Sequence, residues 1–170
     1  MATQDKALQT QDNNGKQDAV LDTQIPLLLD RWSRGETNLK EIYGFNAQEL
    51  HGISNQGYLL LMQGKTEQAK IIFEGLIAID PRNDYFYRAL GVIYHHLGET
   101  DKAVRQFGYA IKVNRQDLTS YVNRAEIYIQ QKKYALAEQD LKEVLVLSAH
   151  DHAHPAYKKA DSLIKILNKR

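Results

Sequence analysis

From Asn46 to Leu167 the large apolar side chains recur at three- and four-residue intervals, the period of amphipathic helices rather than strands. The segments are related by a fixed step. Ala69, Ala103 and Ala137 stand 34 residues apart, each just inside the start of an expected helix. The same step links Gly57, Gly91 and Ala125, all small, and Phe73, Phe107 and Leu141, all large and apolar. It also links Leu60, Tyr94 and Tyr128; Ile53, Tyr87 and Tyr121; Leu76, Ala110 and Val144; and Ile77, Ile111 and Leu145. Gly64 and Gly98 repeat at the turn between paired helices, with Lys132 in the third copy, and Pro81 closes the first copy. Asn46 and Glu49 supply a capping-box-like helix start. Pro155 opens a final helix with Tyr157, Leu163, Ile164 and Leu167 on one face and Lys158, Lys159, Lys165 and Lys169 on the other.

The beginning of the chain has another texture. Residues 1–24 are rich in Gln, Asp and Asn and lack aromatics, so they are expected to remain a disordered tail. From Ile25 a short helix is expected, with Pro26 in its first turn and Leu27, Leu28, Leu29 and Trp32 clustered before Gly35. A connector carrying Leu39, Ile42 and Tyr43 completes an N-terminal helix and entry segment over residues 25–45. The apolar cluster has no repeat partner. Leu28, Leu29 and Trp32 are therefore expected either to cap the first repeat or to meet a second copy, with a weak homodimer as the favoured reading.

A 34-residue step with small residues at each helix crossing resembles the tetratricopeptide repeat. Two antiparallel helices approach closely only where a residue without a bulky side chain sits at the contact, as Gly91 and Ala103 do. One such pair cannot cover its own apolar face, so neighbours must stack. The expected fold is all-α: a tetratricopeptide-repeat α-solenoid of three helix pairs (50–83, 84–117, 118–149) within residues 46–170, with the N-terminal helix before them and a capping helix over 155–168 after them.

Charge and candidate chemistry narrow the function. Lys and Arg total 22 against 21 acidic residues, without the basic excess of a nucleic-acid binder. With no cysteine there are neither disulfides nor thiolate metal sites. The longest apolar runs, Tyr58–Met62 and Val144–Leu147, fall far short of the roughly 18–20 residues that cross a bilayer. No apolar signal core follows Lys6, and a cytoplasmic location without direct membrane insertion is expected. The alternating His150, His152 and His154 would share a face in extended chain, but they lie between helices ahead of a proline, so no metal site is expected. No phosphate loop, nucleophile elbow or carboxylate pair is present, so neither an enzyme nor a cofactor is expected.

The repeat resemblance implies that the first helix of each pair lines a concave groove. The groove sets would be His51, Ser54, Tyr58, Leu61 and Met62; then Tyr85, Arg88, Val92, His95 and His96; then Thr119, Val122, Glu126, Ile129 and Gln130, with Asn123 at the shoulder. Of these, Tyr58, Leu61, Met62, Tyr85, Arg88, Val92, His95, Val122, Asn123, Glu126 and Ile129 are the expected peptide contacts. The competing reading is that some of them only pack on flanking helices.

Over residues 35–149 the chain further resembles the class II chaperones of type III secretion, which guard translocator proteins. The likeness is carried by the entry segment from Gly35 through Leu39 to Ile42, by Gly64-Lys65, Ala69, Phe73, Leu76 and Asp80, and by Phe86-Tyr87-Arg88-Ala89-Leu90-Gly91. Ala125-Glu126 and Ala137-Glu138 add to it. The resemblance implies a chaperone that holds an extended segment of a secreted translocator, and dimers through the N-terminal helix. Ser54 departs from the family's usual groove tyrosine. Gln56 and Arg124 stand where repeats normally place an apolar residue, and the near-neutral charge departs from the family's acidic character. A generic repeat scaffold in another bacterial assembly is the alternative. A clamp for acidic heat-shock tails is excluded, since Ser54, Tyr58, Thr119 and Asn123 stand where its Lys, Asn and Arg residues are needed.

Overall fold

The computed structural model describes residues 26–28 and 30–169, and all regular structure among them is helical. The described residues fall into two units, one ending at Asn46 and the other beginning at Ala47. In the first, residues 26–28 and 30–33 are helical and Gly35 turns the chain at φ 72°. Helix α1 (Leu39–Tyr43) follows, capped by Asn38, whose side chain accepts a hydrogen bond from the Glu41 N–H at 3.0 Å. The Glu41 carboxylate in turn accepts from Thr37 Oγ1 at 2.8 Å and from Asn38 Nδ2 at 3.1 Å. Gly44 ends the helix in the left-handed region. The tail expected over residues 1–24 lies outside the described residues, as do Ile25 and Leu29.

The second unit holds α2 (Ala47–Met62), α3 (Thr66–Ile79), α4 (Asp84–His96), α5 (Thr100–Val113), α6 (Leu118–Gln130), α7 (Tyr134–Leu147) and α8 (Pro155–Leu167). Each helix packs on its neighbours in the chain, and α8 also reaches back to α6. This is the tetratricopeptide helical array that the 34-residue step predicts. The tightest crossing is α4 on α5: a Cβ on Gly91 would lie 2.7–2.9 Å from the fully buried Phe107 ring. Gly57 meets Ile72 and Phe73 in the same way. Phe73, Leu76, Ile93, Phe107, Ile127, Leu141 and Val144 are completely enclosed, each contributing about 1.5–3 kcal/mol through burial.

The turns inside the three helix pairs share one hydrogen-bond pattern. Gly64 N–H donates to Leu61 O and Lys65 N–H to Leu60 O; Gly98 and Glu99 repeat this onto His95 and Tyr94, and Lys132 and Lys133 onto Ile129 and Tyr128. The pattern is a Schellman stop, which needs a left-handed residue. Gly64 and Gly98 provide it at φ 75° and 74°, but the third copy forces Lys132 to φ 58°. A left-handed non-glycine residue costs roughly 1–2 kcal/mol, partly offset by glycine's greater unfolded-state freedom. Lys132→Gly is therefore expected to stabilise the chain by about 0.5–1 kcal/mol, read as a higher urea midpoint. An unchanged or lower midpoint would show the turn to be unstrained.

Candidate functional site

The first helices of the second and third repeats, α4 and α6, border a depression of about 260 Å³. Val92 and His95 enter from α4; Asn123, Glu126 and Gln130 enter from α6; Phe107 of α5 closes the floor. Spacings of three and four residues put each set on one helix face. Four of the expected peptide contacts, Val92, His95, Asn123 and Glu126, are thereby brought together, with Gln130 of the same groove set beside them. His95 Nε2 and Gln130 Oε1 lie 3.3 Å apart and join the two walls. Glu126 Oε2 accepts a 2.9 Å hydrogen bond from Lys159 Nζ of α8. Lys159, expected on the solvated face of the cap, thus reaches the rim of the depression. The Asn123 side chain makes no hydrogen bond among the described residues, leaving its amide available.

Other expected contacts are placed differently. Val122 is a correction: it is 3% exposed and shares a core cluster with Ala125, Leu141, Ala156 and Ala160, while Ile129 packs on that cluster from its edge. The reason is α8, whose Ala156 and Ala160 let it lie close against the last repeat. Arg88 is engaged by acids: its Nη1 lies 2.6 Å from Asp117 and 3.5 Å from Asp84. Asp117 also caps α6 by accepting from the Ser120 N–H and hydroxyl. The Arg88 guanidinium stands 5.4 Å from the centroid of the Tyr85 ring, whose own packing is edge-on to Phe73 and Phe86. Arg88 and Tyr85 therefore form a fixed rib beside the depression. In the first repeat Ser54 is buried, its hydroxyl donating to the His51 carbonyl, whereas Leu61 is half-buried and Tyr58 and Met62 are 52% and 71% exposed. These last three do not line the α4–α6 depression.

Leu28 is half-buried and Trp32 is 51% exposed. The histidine loop acts locally. His154 Nδ1 accepts from the Ala156 N–H and caps α8, and the His152 ring stacks on Tyr157 with centroids 4.4 Å apart. Among the described residues no group of three or more His, Asp or Glu side chains is placed to hold a metal ion.

A second depression, about 340 Å³, lies over α3, α4 and α5 and is lined by Glu74, Ile77, Tyr87, Leu90, Tyr94, Gln106 and Tyr109. Three of its polar side chains, Glu74, Tyr87 and Tyr94, already serve the fold. Tyr94 donates to Glu74 Oε1 at 2.7 Å, and Tyr87 donates to the Pro81 carbonyl at 3.1 Å. Desolvation, then the Glu74 hydrogen bond, push the Tyr94 phenol up to about 12. The α4–α6 site offers polar groups with spare capacity and is the better candidate.

Three family models of the tetratricopeptide repeat match residues 72–105, 97–152 and 55–83. Among curated proteins the chain is 30% identical over 102 residues to DnaJ homolog subfamily C member 3 of Gallus gallus, covering 60% of this chain and spanning 20% of that protein's length. In fold it is similar to the type III secretion translocator chaperone SycD of Yersinia enterocolitica, with a TM-score of 0.72 and 19% identity over 76% of this chain and 98% of that one. It is likewise similar to PcrH of Pseudomonas aeruginosa in complex with the chaperone-binding region of PopD, with a TM-score of 0.68 and 21% identity over 75% and 96% of the two chains.

Proposed function

We propose a function from the premise that the chain belongs to the tetratricopeptide-repeat family: it is a non-enzymatic chaperone that binds an extended peptide. The client is a translocator-like substrate of type III secretion, held in the cytoplasm before export. The observation that carries this reading is the α4–α6 depression, where an apolar floor of Val92 and Phe107 lies beside the available amide of Asn123. An extended peptide has alternating side chains for such a floor and backbone groups for such an amide. Similarity in fold to SycD, and to PcrH crystallised with a PopD segment, supports the choice of client. No described helix is long and apolar enough to cross a membrane, consistent with a chaperone rather than an inserted subunit. The match to part of a DnaJ homolog favours the second reading, a general repeat adaptor.

Calorimetric titration with the chaperone-binding region of PopD separates the two. Binding at about micromolar affinity or tighter is expected, with little change between low and high salt, because a few apolar anchors carry such interfaces. Val92→Asp should weaken it by about tenfold or more, since the bound chain would desolvate an unpaired carboxylate. Tyr58→Ala should cost less, through lost contact area. Helicity of each variant is checked by circular dichroism. Absent binding, or binding indifferent to Val92→Asp, would leave the adaptor reading.

Self-association belongs to the same proposal, because Leu27 and Trp32 of the N-terminal unit are 62% and 51% exposed. Sedimentation of the full chain is expected to reveal a weak dimer that Trp32→Glu disperses. Identical monomers for both proteins would remove the dimer.

A further inference from the structure

We propose that the α4–α6 depression takes a lysine side chain of the client, its aliphatic stem against Val92 and its ammonium on Glu126. The inference rests on the peptide-binding reading above and specifies its anchor. The depression has an apolar floor and an acceptor-rich rim. Glu126 carries the one full charge of the lining and only accepts hydrogen bonds, while Asn123 and Gln130 each bring a carbonyl oxygen beside their N–H donors, the Gln130 oxygen already facing His95 Nε2. A wholly apolar occupant would cover these groups without replacing their water, which is unfavourable. A lysine avoids that cost, because its methylene stem tolerates an apolar surface while its head stays among acceptors.

The protein already demonstrates the chemistry. Lys159, 33 residues away in sequence, places its own ammonium 2.9 Å from Glu126 Oε2. Its side chain is 49% exposed and that of Glu126 35%, and ion pairs that open to water add little stability. A client lysine can therefore displace Lys159, which swings into solvent. One ion pair replaces another, so the weak salt dependence expected of peptide binding is preserved.

The test uses the full chain with labelled Val and His residues and two small probes, Nα-acetyl-lysine methylamide and its uncharged counterpart Nα-acetyl-norleucine methylamide. Nuclear magnetic resonance titration should shift the Val92 methyl and His95 ring signals with both. The lysine probe should bind about threefold more tightly, because its ammonium replaces the water that norleucine would strip from the polar rim. Glu126→Gln should abolish that preference, and Lys159→Ala should increase it by freeing the carboxylate. Equal or tighter binding of norleucine, an unaltered preference in Glu126→Gln, or no response of Val92 and His95 to either probe would overturn the anchor. The translocator reading fails separately. If the lysine probe behaves as expected while the PopD segment does not bind, the anchor stands and the choice of client falls.

Discussion

Phe107→Ala is expected to remove about 3–5 kcal/mol of stability, the usual cost of emptying an enclosed phenylalanine site. That is a large part of the roughly 5–15 kcal/mol that holds a domain folded. The ring is 1% exposed and lies beneath Gly91, so neither helix can move inward to fill the space without losing its other contacts. The converse change acts on the same crossing. Gly91→Ala would put a methyl group 2.7–2.9 Å from three ring atoms, and overpacking of this kind costs about 1–3 kcal/mol. Because the two positions touch, Gly91→Ala combined with Phe107→Leu should destabilise less than the sum of the single changes. Urea unfolding followed by far-ultraviolet circular dichroism measures all four variants beside the parent. Losses below about 1 kcal/mol for Phe107→Ala, or strict additivity in the pair, would mean that the crossing is looser than its geometry indicates. Phe107→Ala also removes the floor of the α4–α6 depression, so stability and client binding should fall together.

The helical array was legible because a repeat states its packing rule three times. One small residue at Gly91 says little, but Gly57, Gly91 and Ala125 at one step identify a crossing. The stop between paired helices was legible for the same reason, and Lys132 stood out as the copy lacking glycine. Periodicity is a statement about local faces, however, and it fails where distant elements choose their partners. Val122 occupies a groove register on α6, yet it is buried in the cluster that α8 completes. Nothing within the repeat step indicates how closely Ala156 and Ala160 bring the capping helix.

The site followed the same division. Val92, His95, Asn123 and Glu126 could be placed together because their register on two equivalent helices is shared. Phe107 is legible as core from the repeat step, but its place beneath the depression depends on how three helices pack, which no single helix face states. The Lys159–Glu126 and Arg88–Asp117 pairs are not legible in the sequence, because no spacing rule joins residues 33 and 29 apart on different elements. The available clue was compositional: a groove helix carrying a carboxylate must find a cation or a ligand for it.

Arg124 shows how such a departure is resolved, and it yields the second large effect. It stands in the register of Leu90, where a repeat normally buries an apolar side chain, yet it is only 20% exposed. Its Nε and Nη2 donate to the two Asp140 oxygens at 2.8 and 2.6 Å, and the guanidinium lies about 6 Å from the Tyr121 and Tyr128 ring centroids. Burial opposes this charge, but the hydrogen bonds and charge of Asp140 more than compensate and raise the Arg124 pKa overall. Asp140→Ala would leave the guanidinium enclosed without its partner, and a loss of about 3 kcal/mol is expected, at the lower end for a broken buried pair because some water reaches Arg124. The equivalent positions in the second repeat are Leu90 and Gln106, which supply a tested replacement within the same molecule. The double variant Arg124→Leu with Asp140→Gln should be neutral or slightly stabilising, since replacing both partners removes the desolvation cost together with the attraction. Thermal unfolding of the two variants beside the parent decides the matter. If Asp140→Ala is tolerated, the pair is an incidental surface contact; if the double variant is as damaged as the single one, the ion pair itself holds the third repeat together.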